Sequence, residues 1–230
     1  MSNIKFFEKI AGYPAIIPRK KCPAEELESF LTPFIGKQDV ISITVQVDDV
    51  CDRKILLLLE EMSFRADEKE EVYCCDLTAW NHSRQLIDSY DIDCEFVSFS
   101  RCGLTPFSEI AKNAVRGDVY SFNQFFHQLK ESPDFDPRLW EVLLFDGQPV
   151  GIVMAHIDAE RIGTIDYIAV VEGEQGKGFG KLLHLRGMRL LKAYGAKRYV
   201  IEIDEDKLPF ISLFREHDCQ LERIRYLYIR

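Results

Sequence analysis

Between Ile168 and Leu191 the chain passes from a β-branched apolar run, through three glycines at alternate positions, into an apolar pattern with helical spacing. Ile168-Ala169-Val170-Val171 suits a buried strand. Gly176, Gly178 and Gly180 follow, and the stretch from Lys181 to Leu191 then repeats its apolar residues at intervals of three and four. Glycine lets a backbone approach a ligand closely and adopt positive φ. A helix N-terminus offers free N–H groups and the positive end of a dipole. Strand, glycine turn and helix start, in that order, make an anion site, most often for phosphate. The alternative is a glycine-rich strand–helix turn that holds no ligand, which three glycines at a helix start disfavour.

Two common phosphate patterns fail on this stretch. Gly180-Lys181 matches the end of a Walker loop, but Gln175 occupies the place of its first glycine and Leu182 that of its hydroxyl. The dinucleotide pattern Gly-x-Gly-x-x-Gly breaks at Lys181 when begun from Gly176 and at Leu183 when begun from Gly178. What fits is Gln/Arg-x-x-Gly-x-Gly/Ala after a strand, filled by Gln175, Gly178 and Gly180. On those residues the stretch resembles the pyrophosphate loop of the GNAT family of acetyl-CoA-dependent N-acyltransferases.

The rest of the chain is read against that resemblance. Asp39–Val47 alternates as a strand, Asp48–Met62 is helical and carries Ile55–Leu59, and Glu70–Leu77 is a second strand. The same order recurs at the C-terminus, with strands at Arg198–Ile203 and Leu221–Ile229 around a helix at Leu208–Glu216. Val40 with the run Leu59 to Phe64 parallels Val200 with the run Leu213 to Cys219, which reads either as a truncated copy of the closing half of a GNAT domain or as two α/β units that converged. Residues 1–36 are aromatic and proline-punctuated; a short helix is expected around Phe6, Phe7 and Ile10, an extended piece at Ala15–Ile17 and a helix from Pro23 to Phe34. Residues 79–93 are polar and read as a connection. A strand at Cys94–Ser100, helices at Thr105–Val115 and Val119–Glu131, and strands at Trp140–Phe145, Val150–Ile157 and Thr164–Val171 complete the part before the glycine loop, with Asp146-Gly147 as a hairpin turn. The stripe of Phe122, Phe125 and Phe126 reads as core. This element order resembles a GNAT fold over residues 94–230. It implies an α/β (α+β) architecture: a central mixed, mostly antiparallel sheet flanked by helices, preceded by a smaller α/β subdomain over residues 1–85.

Charge and cysteines limit the function classes. A net charge of −9 over 230 residues disfavours nucleic acid or an anionic membrane as the main partner. Lys177, Lys181, Arg186 and Arg189 still make the loop region locally basic, which is compatible with an anionic cosubstrate and a cationic amine. The seven cysteines are odd in number and form no Cys-x-x-Cys pair, so they read as reduced, mostly buried thiols in a cytoplasmic protein and not as a zinc site. Lys5, Glu8, Lys9 and Arg19 interrupt the apolar residues of the N-terminus, so no signal peptide is evident, and Ile55–Leu59 is too short to span a bilayer.

The resemblance implies acetyl-CoA as cosubstrate, no metal, and a primary amine of a small molecule or protein as acceptor. Backbone groups of Ile168, Ala169 and Val170 would run beside pantetheine; Gln175, Gly176, Lys177, Gly178, Phe179 and Gly180 would wrap the pyrophosphate; Lys181 would add charge. Acyl transfer to an amine needs a base to take the amine proton and stabilisation of the developing oxyanion. Glu202, within Val200–Ile203, matches a strand glutamate that serves as base in GNAT enzymes acetylating protein N-termini. His156 and Asp166 are a second candidate pair: with the hairpin centred on Arg161 they face one another across the ladder, where a carboxylate-oriented histidine makes a base near neutral pH. A third option is ordered water alone. The family's acid is missing, since Phe214 stands in place of its tyrosine and Lys207 in place of its asparagine. Tyr226 and Tyr228 are substitutes if they do not serve packing instead. An N-acyltransferase, a non-catalytic CoA-binding or regulatory protein, and an interaction scaffold all stay open, as does the oligomeric state, a homodimer included.

Overall fold

The computed structural model describes residues 3–10, 13–21, 24–33, 35, 40–48, 53–81, 94–114, 119–204 and 208–230. Strands β1 (Asn3–Ile10) and β2 (Tyr13–Lys21) precede helix α1 (Ala24–Leu31), strand β3 (Val40–Asp48), helix α2 (Arg53–Glu61) and strand β4 (Arg65–Asp76). Strand β5 (Cys94–Ser98), a short helix α3 (Phe99–Cys102), helices α4 (Thr105–Ala114) and α5 (Val119–Glu131), and strands β6 (Trp140–Phe145), β7 (Gln148–Ile157) and β8 (Ile162–Val170) follow. Helix α6 (Phe179–Ala193), strand β9 (Arg198–Asp204), helix α7 (Leu208–Glu216) and strand β10 (Gln220–Ile229) end the chain. Lys207 and most of the expected 79–93 connection lie outside the described residues. No described helix is long and apolar enough to cross a membrane.

The chain forms two units. One takes Met1–Tyr73 with Glu202–Ser212 and Gln220–Arg230; the other takes Cys74–Ile201 with Leu213–Cys219. The C-terminal strand thus groups with the N-terminal residues, whereas a division at 85–94 would place it with the glycine loop.

In the first unit, β2-β1-β3-β10 is an antiparallel sheet. The helix expected around Phe6–Ile10 is instead β1, whose backbone pairs on both sides with β2 and β3. Hydrogen-bonded neighbours on both sides take up most of that backbone, which outweighs local helical spacing. Leu27 and Leu31 of α1, Ile55 and Leu59 of α2, Val45, Phe64 and Tyr228 make its core. Helix α2 ends with Ser63 at φ 66° and the Phe64 N–H bonded to Leu59 O at 2.9 Å. Helix α7 ends the same way, with Asp218 at φ 64° and the Cys219 N–H bonded to Phe214 O at 2.9 Å. Both are left-handed caps closed by a six-to-one hydrogen bond; they align Leu59 with Phe214, one residue on from the Leu59–Leu213 match of the sequence comparison.

In the second unit, β5-β6-β7-β8 is antiparallel and β9 joins β8 in parallel through Ile162↔Arg198 and Gly163↔Tyr199. Asp146 and Gly147 both have positive φ, 48° and 73°, as the tight β6–β7 hairpin requires. On one face Trp140 collects Phe99, Phe107, Phe126 and Phe135 at ring-centroid distances of 5.5, 6.2, 5.1 and 4.8 Å, and its indole N–H donates to Ala155 O at 3.1 Å. On the other face lies α6. A Cβ on Gly187 of α6 would sit 2.7 Å from Ile165 Cδ1 and 3.0 Å from Val153 Cγ2. A Cβ on Gly151 of β7 would sit 2.7 Å from Leu183 Cδ1 and 2.9 Å from the backbone oxygen of Ala169. Helix and sheet therefore meet at a spacing that side chains at these positions would not allow. Gly151→Ala should destabilise the protein by about 1–3 kcal/mol, the usual cost of overpacking, read as a lower denaturation midpoint at unchanged m-value; the carbonyl it meets cannot rotate away.

Beneath α6, His184 is fully buried, with its Nδ1 2.6 Å from His217 Nδ1 and its Nε2 3.0 Å from Tyr199 Oη. Burial, and then the neighbouring imidazole, push the His184 pKa well below the ordinary histidine value. The unfolded chain therefore binds a proton near pH 6.5 that the folded chain refuses, so this group lowers stability as pH falls through that value. His156, whose pKa is raised (see below), acts in the opposite sense, so the test is a difference. His184→Gln should be less stable than the parent at pH 7 and should lose less stability than the parent between pH 7 and 5.5, measured by urea unfolding at both.

Candidate active site

The glycine loop leaves β8 at Val170. Val171 N–H returns to Val150 O at 3.0 Å, a single helical turn spans Glu172–Glu174, and Gln175 Nε2 donates to Val170 O at 3.0 Å, tying the loop back to the strand end. Gly178 caps α6 in the left-handed region, φ 92°, and no side chain caps the helix. The first-turn N–H groups of a 15-residue helix are thus left to an incoming group. A Cβ on Gly176 or on Gly180 would meet nothing within 4 Å, so space is open in front of those groups. Phe179 anchors the turn by burying its ring 5.2 Å from Phe145. Lys177 Nζ reaches Glu174 at 2.9 Å, and Lys181 pairs with Glu216. These residues fit a diphosphate: backbone donors, a helix dipole and two lysines, with no side chain in the way. Arg186 is different from the expectation of a basic slot. It forms two hydrogen bonds, of 2.6 and 2.8 Å, to the buried Glu141, and lies 5.0 Å from the Phe96 ring. It braces α6 against β6.

One face of β8 is set by an irregularity. Val153↔Ile168 and Met154↔Tyr167 pair, and then Ala155↔Ile165 pairs, so Asp166 is an extra residue, a β-bulge. Val153 and Ile165 both face Gly187 of α6; Ile168, paired with Val153, shares that face. Asp166 and Tyr167 lie between them and so both turn to the opposite face. His156 is there too. The hairpin is centred near Glu160 and not on Arg161, so His156 stands opposite Thr164, which corrects the expected register. The expected contact forms nonetheless, on the diagonal: His156 Nδ1 is 2.8 and 2.9 Å from the two Asp166 oxygens. Burial works against charge on His156, but the hydrogen bond and charge of Asp166, helped by Asp134 and Asp158, outweigh it and raise its pKa. Nδ1–H donates to the carboxylate, which leaves Nε2 with the lone pair. Phe125 of α5 packs its ring 5.9 Å from that of Tyr167.

The other candidates fall elsewhere. Glu202 belongs to the first unit, where its carboxylate is 2.5 Å from the guanidinium of Arg225, itself only 3% exposed. Tyr228 is in the core of that unit and Tyr226 packs against it. Phe214 is buried 5.2 Å from the His184 ring. Cys219 and Cys75 are buried, and the Cys75 thiol and burial together hold the Cys219 thiol far up in its protonated form, so it is no nucleophile. No metal-binding cluster occurs among the described residues. A cavity of about 290 Å³ opens at the Ile157–Arg161 turn, where Arg138 is already paired with Asp136 and stacked on Tyr194. Tyr167 was not singled out from the sequence; its signal was its place one residue after Asp166, legible only with the bulge.

A strand, glycine loop and helix with an open N-terminus, on a mixed sheet where a bulge in β8 brings Asp166 to His156 of β7, is a GNAT-type fold. A model of the acetyltransferase (GNAT) family matches residues 104–218, half of the chain, and the protein belongs to that family. It is 33% identical over 86 residues to a mycothiol acetyltransferase of Streptomyces avermitilis, a match covering 37% of this chain and 28% of that protein. Among solved structures it is similar to a GCN5-related N-acetyltransferase from Sphaerobacter thermophilus (TM-score 0.58, 17% identity, 82% of this chain and 60% of that one). It is also similar to a tandem GNAT protein from the clavulanic acid biosynthesis pathway (TM-score 0.66, 13% identity, 95% of this chain and 73% of that one). These likenesses show the fold, and the tandem protein fits the two-part architecture. Gly180→Glu, which fits the helical backbone but fills the open space with negative charge, should abolish CoA binding by calorimetry while leaving the thermal midpoint within a few degrees of the parent.

Proposed function

We propose that this protein transfers an acetyl group from acetyl-CoA to a primary amine by direct attack in a ternary complex. The observation that carries the reading is that the strand leading into the glycine loop carries Asp166 at its bulge, hydrogen-bonded to His156 of the neighbouring β7. Four residues separate Asp166 from Val170, about 13 Å of extended strand. An arm held by its diphosphate at Gln175–Lys181 and laid along Ile168–Val170 brings its far end to that pair. Acetyl-CoA supplies an activated thioester there. Gln175 keeps the loop closed on the strand, the N–H groups after Gly178 bind the diphosphate, and Lys177 and Lys181 exchange Glu174 and Glu216 for phosphate oxygens. His156 Nε2 accepts the proton of the attacking amine, and Asp166 orients the ring and stabilises the imidazolium. Glu202 is the weaker candidate, because its carboxylate is already engaged by the buried Arg225 guanidinium. The name of the curated relative supports a small-molecule acceptor, and the free thiols fit a cytoplasmic setting. A second reading, a CoA-binding protein without turnover, draws on Phe214 and Lys207 in place of the family's tyrosine and asparagine.

The test is CoA release from acetyl-CoA against glucosamine, cysteamine and an alanyl peptide, followed by pH profiles on the best acceptor. The acid limb of kcat should lie above pH 6.5, reflecting the raised His156 pKa. Asp166→Asn should move that limb to lower pH, since burial is then opposed only by the more weakly acting Asp134 and Asp158, and should lower the plateau about 10²-fold or more, as should His156→Gln. A limb unmoved by Asp166→Asn removes the pair as the base. Binding of CoA with no release on any amine favours the second reading.

A further inference from the structure

We propose that the phenol of Tyr167 donates a hydrogen bond to the acyl carbonyl oxygen on the bulge face of β8. The inference rests on the reading of β8 as the strand that carries acetyl-CoA.

The bulge is the reason. In a regular strand Asp166 and Tyr167 would point to opposite faces. Here Ile165 and Ile168 both face α6, and the two residues between them share the other face with His156 and Met154. The irregularity therefore places a carboxylate-bound imidazole and a phenol on the same face of the sheet. The Phe125 ring covers Tyr167 on one side, so the hydroxyl is held on a half-buried ring and not on a freely turning one. Burial raises the Tyr167 pKa above its ordinary value of 10. That decides between two roles. Passing its proton to a thiolate, whose ordinary pKa is about 8.5, would be uphill by more than about 1.5 units. Donating a hydrogen bond while keeping the proton is not. Tyr167 therefore stays neutral throughout: as the amine attacks and negative charge grows on the carbonyl oxygen, the O–H bond shortens its contact but no bond to Tyr167 oxygen forms or breaks. The C–N bond forms as the carbonyl π pair moves onto oxygen; the pair then returns, the C–S bond breaks and CoA leaves as the thiolate, while the amine proton goes to His156 Nε2 and from there to solvent. A fixed donor of this kind, aimed at charge that develops in the transition state, is the type of group whose removal costs about 10²–10³-fold.

The experiment has one readout that needs no acceptor. Infrared difference spectra of acetyl-CoA carrying ¹³C at the thioester carbonyl should show a red-shifted carbonyl band on binding to the parent protein. Tyr167→Phe should bind acetyl-CoA within about twofold of the parent yet return the band toward its position in water; a band still red-shifted in that variant overturns the proposal. On the best amine of the panel, Tyr167→Phe should lower kcat about 10²-fold with the His156 acid limb in place, whereas 3-fluorotyrosine at position 167 should keep full activity. A kcat within threefold of the parent for Tyr167→Phe also overturns it. Should the phenylalanine variant prove unstable, the fluorotyrosine protein alone decides: its stronger donor must deepen the red shift, and an unchanged band sinks the idea. Absence of acetyl-CoA binding to the parent is a separate outcome, since it removes the glycine-loop reading and this proposal together.

Discussion

Helix α6 lies on β7 and β8 at a distance set by Gly151, Gly163 and Gly187, two on the sheet and one on the helix. The missing Cβ atoms would stand within 2.9 Å of Leu183, Leu191, Ile165 and the Ala169 carbonyl. Close packing of this kind transmits small volume changes, because a dense interior has no slack to absorb them. The position of the α6 N-terminus depends on it, and so does the direction in which its open N–H groups point. Gly178, in the left-handed region, then turns the chain from loop to helix without a side chain in front of those groups. The proposed anion site is thus built at two levels: glycines beneath the helix fix where it starts, and glycines before it leave the start open. Arg186, clamped on Glu141 through the adjacent edge of the sheet, holds the same helix from its flank.

The opposite face of β8 answers to a different rule. Alternation would scatter His156, Asp166 and Tyr167 over both faces; one extra residue gathers them. A bulge costs a ladder hydrogen bond and a local kink, and such features concentrate where a side chain must be re-aimed. Because Ile165 and Ile168 on either side of it are pinned against α6, the bulge cannot migrate along the strand without turning an isoleucine away from the helix. The packing that sets the anion site therefore also fixes the register of the polar face.

Much of this was legible in the sequence, and the reasons differ by element. Helix α7 and the strand ends around the glycine loop follow from strong periodicity and from glycine chemistry at Gln175–Gly180, both of which are local. The His156–Asp166 contact was reachable because two residues near a hairpin turn have few ways to miss one another, although the register that suggested it was wrong: Asp158 accepts from the Glu160 and Ile162 N–H groups at 2.9 and 2.8 Å and shifts the turn centre by one residue. What stayed hidden is non-local. The strand at Asn3–Ile10 owes its form to β2 and β3 on either side, the role of Gly151 and Gly187 is visible only with the opposite element in place, and Tyr167 reaches its face only through the bulge. Arg186 looked basic and available until the buried Glu141 claimed it.

The loss of a proton donor at Phe214 is less damaging than it looks, and magnitudes show why. A primary amine with a pKa near about 10.4 is neutral at pH 7 at a cost of about 3.4 units, or roughly 4.6 kcal/mol. A thiolate with a conjugate acid near about 8.5 gains only about 1.5 units, or roughly 2 kcal/mol, by being protonated at the same pH. The base side of acyl transfer carries the larger burden, and a pKa-raising carboxylate beneath His156 strengthens that side. The acid side is the one that can be surrendered to packing. Phe214 spends its ring on His184 in the interior, which a tyrosine there could do only by finding its hydroxyl a buried partner. On the proposed mechanism, a chain with a histidine–carboxylate pair at the bulge and a packed phenylalanine at position 214 gives up the smaller of the two terms.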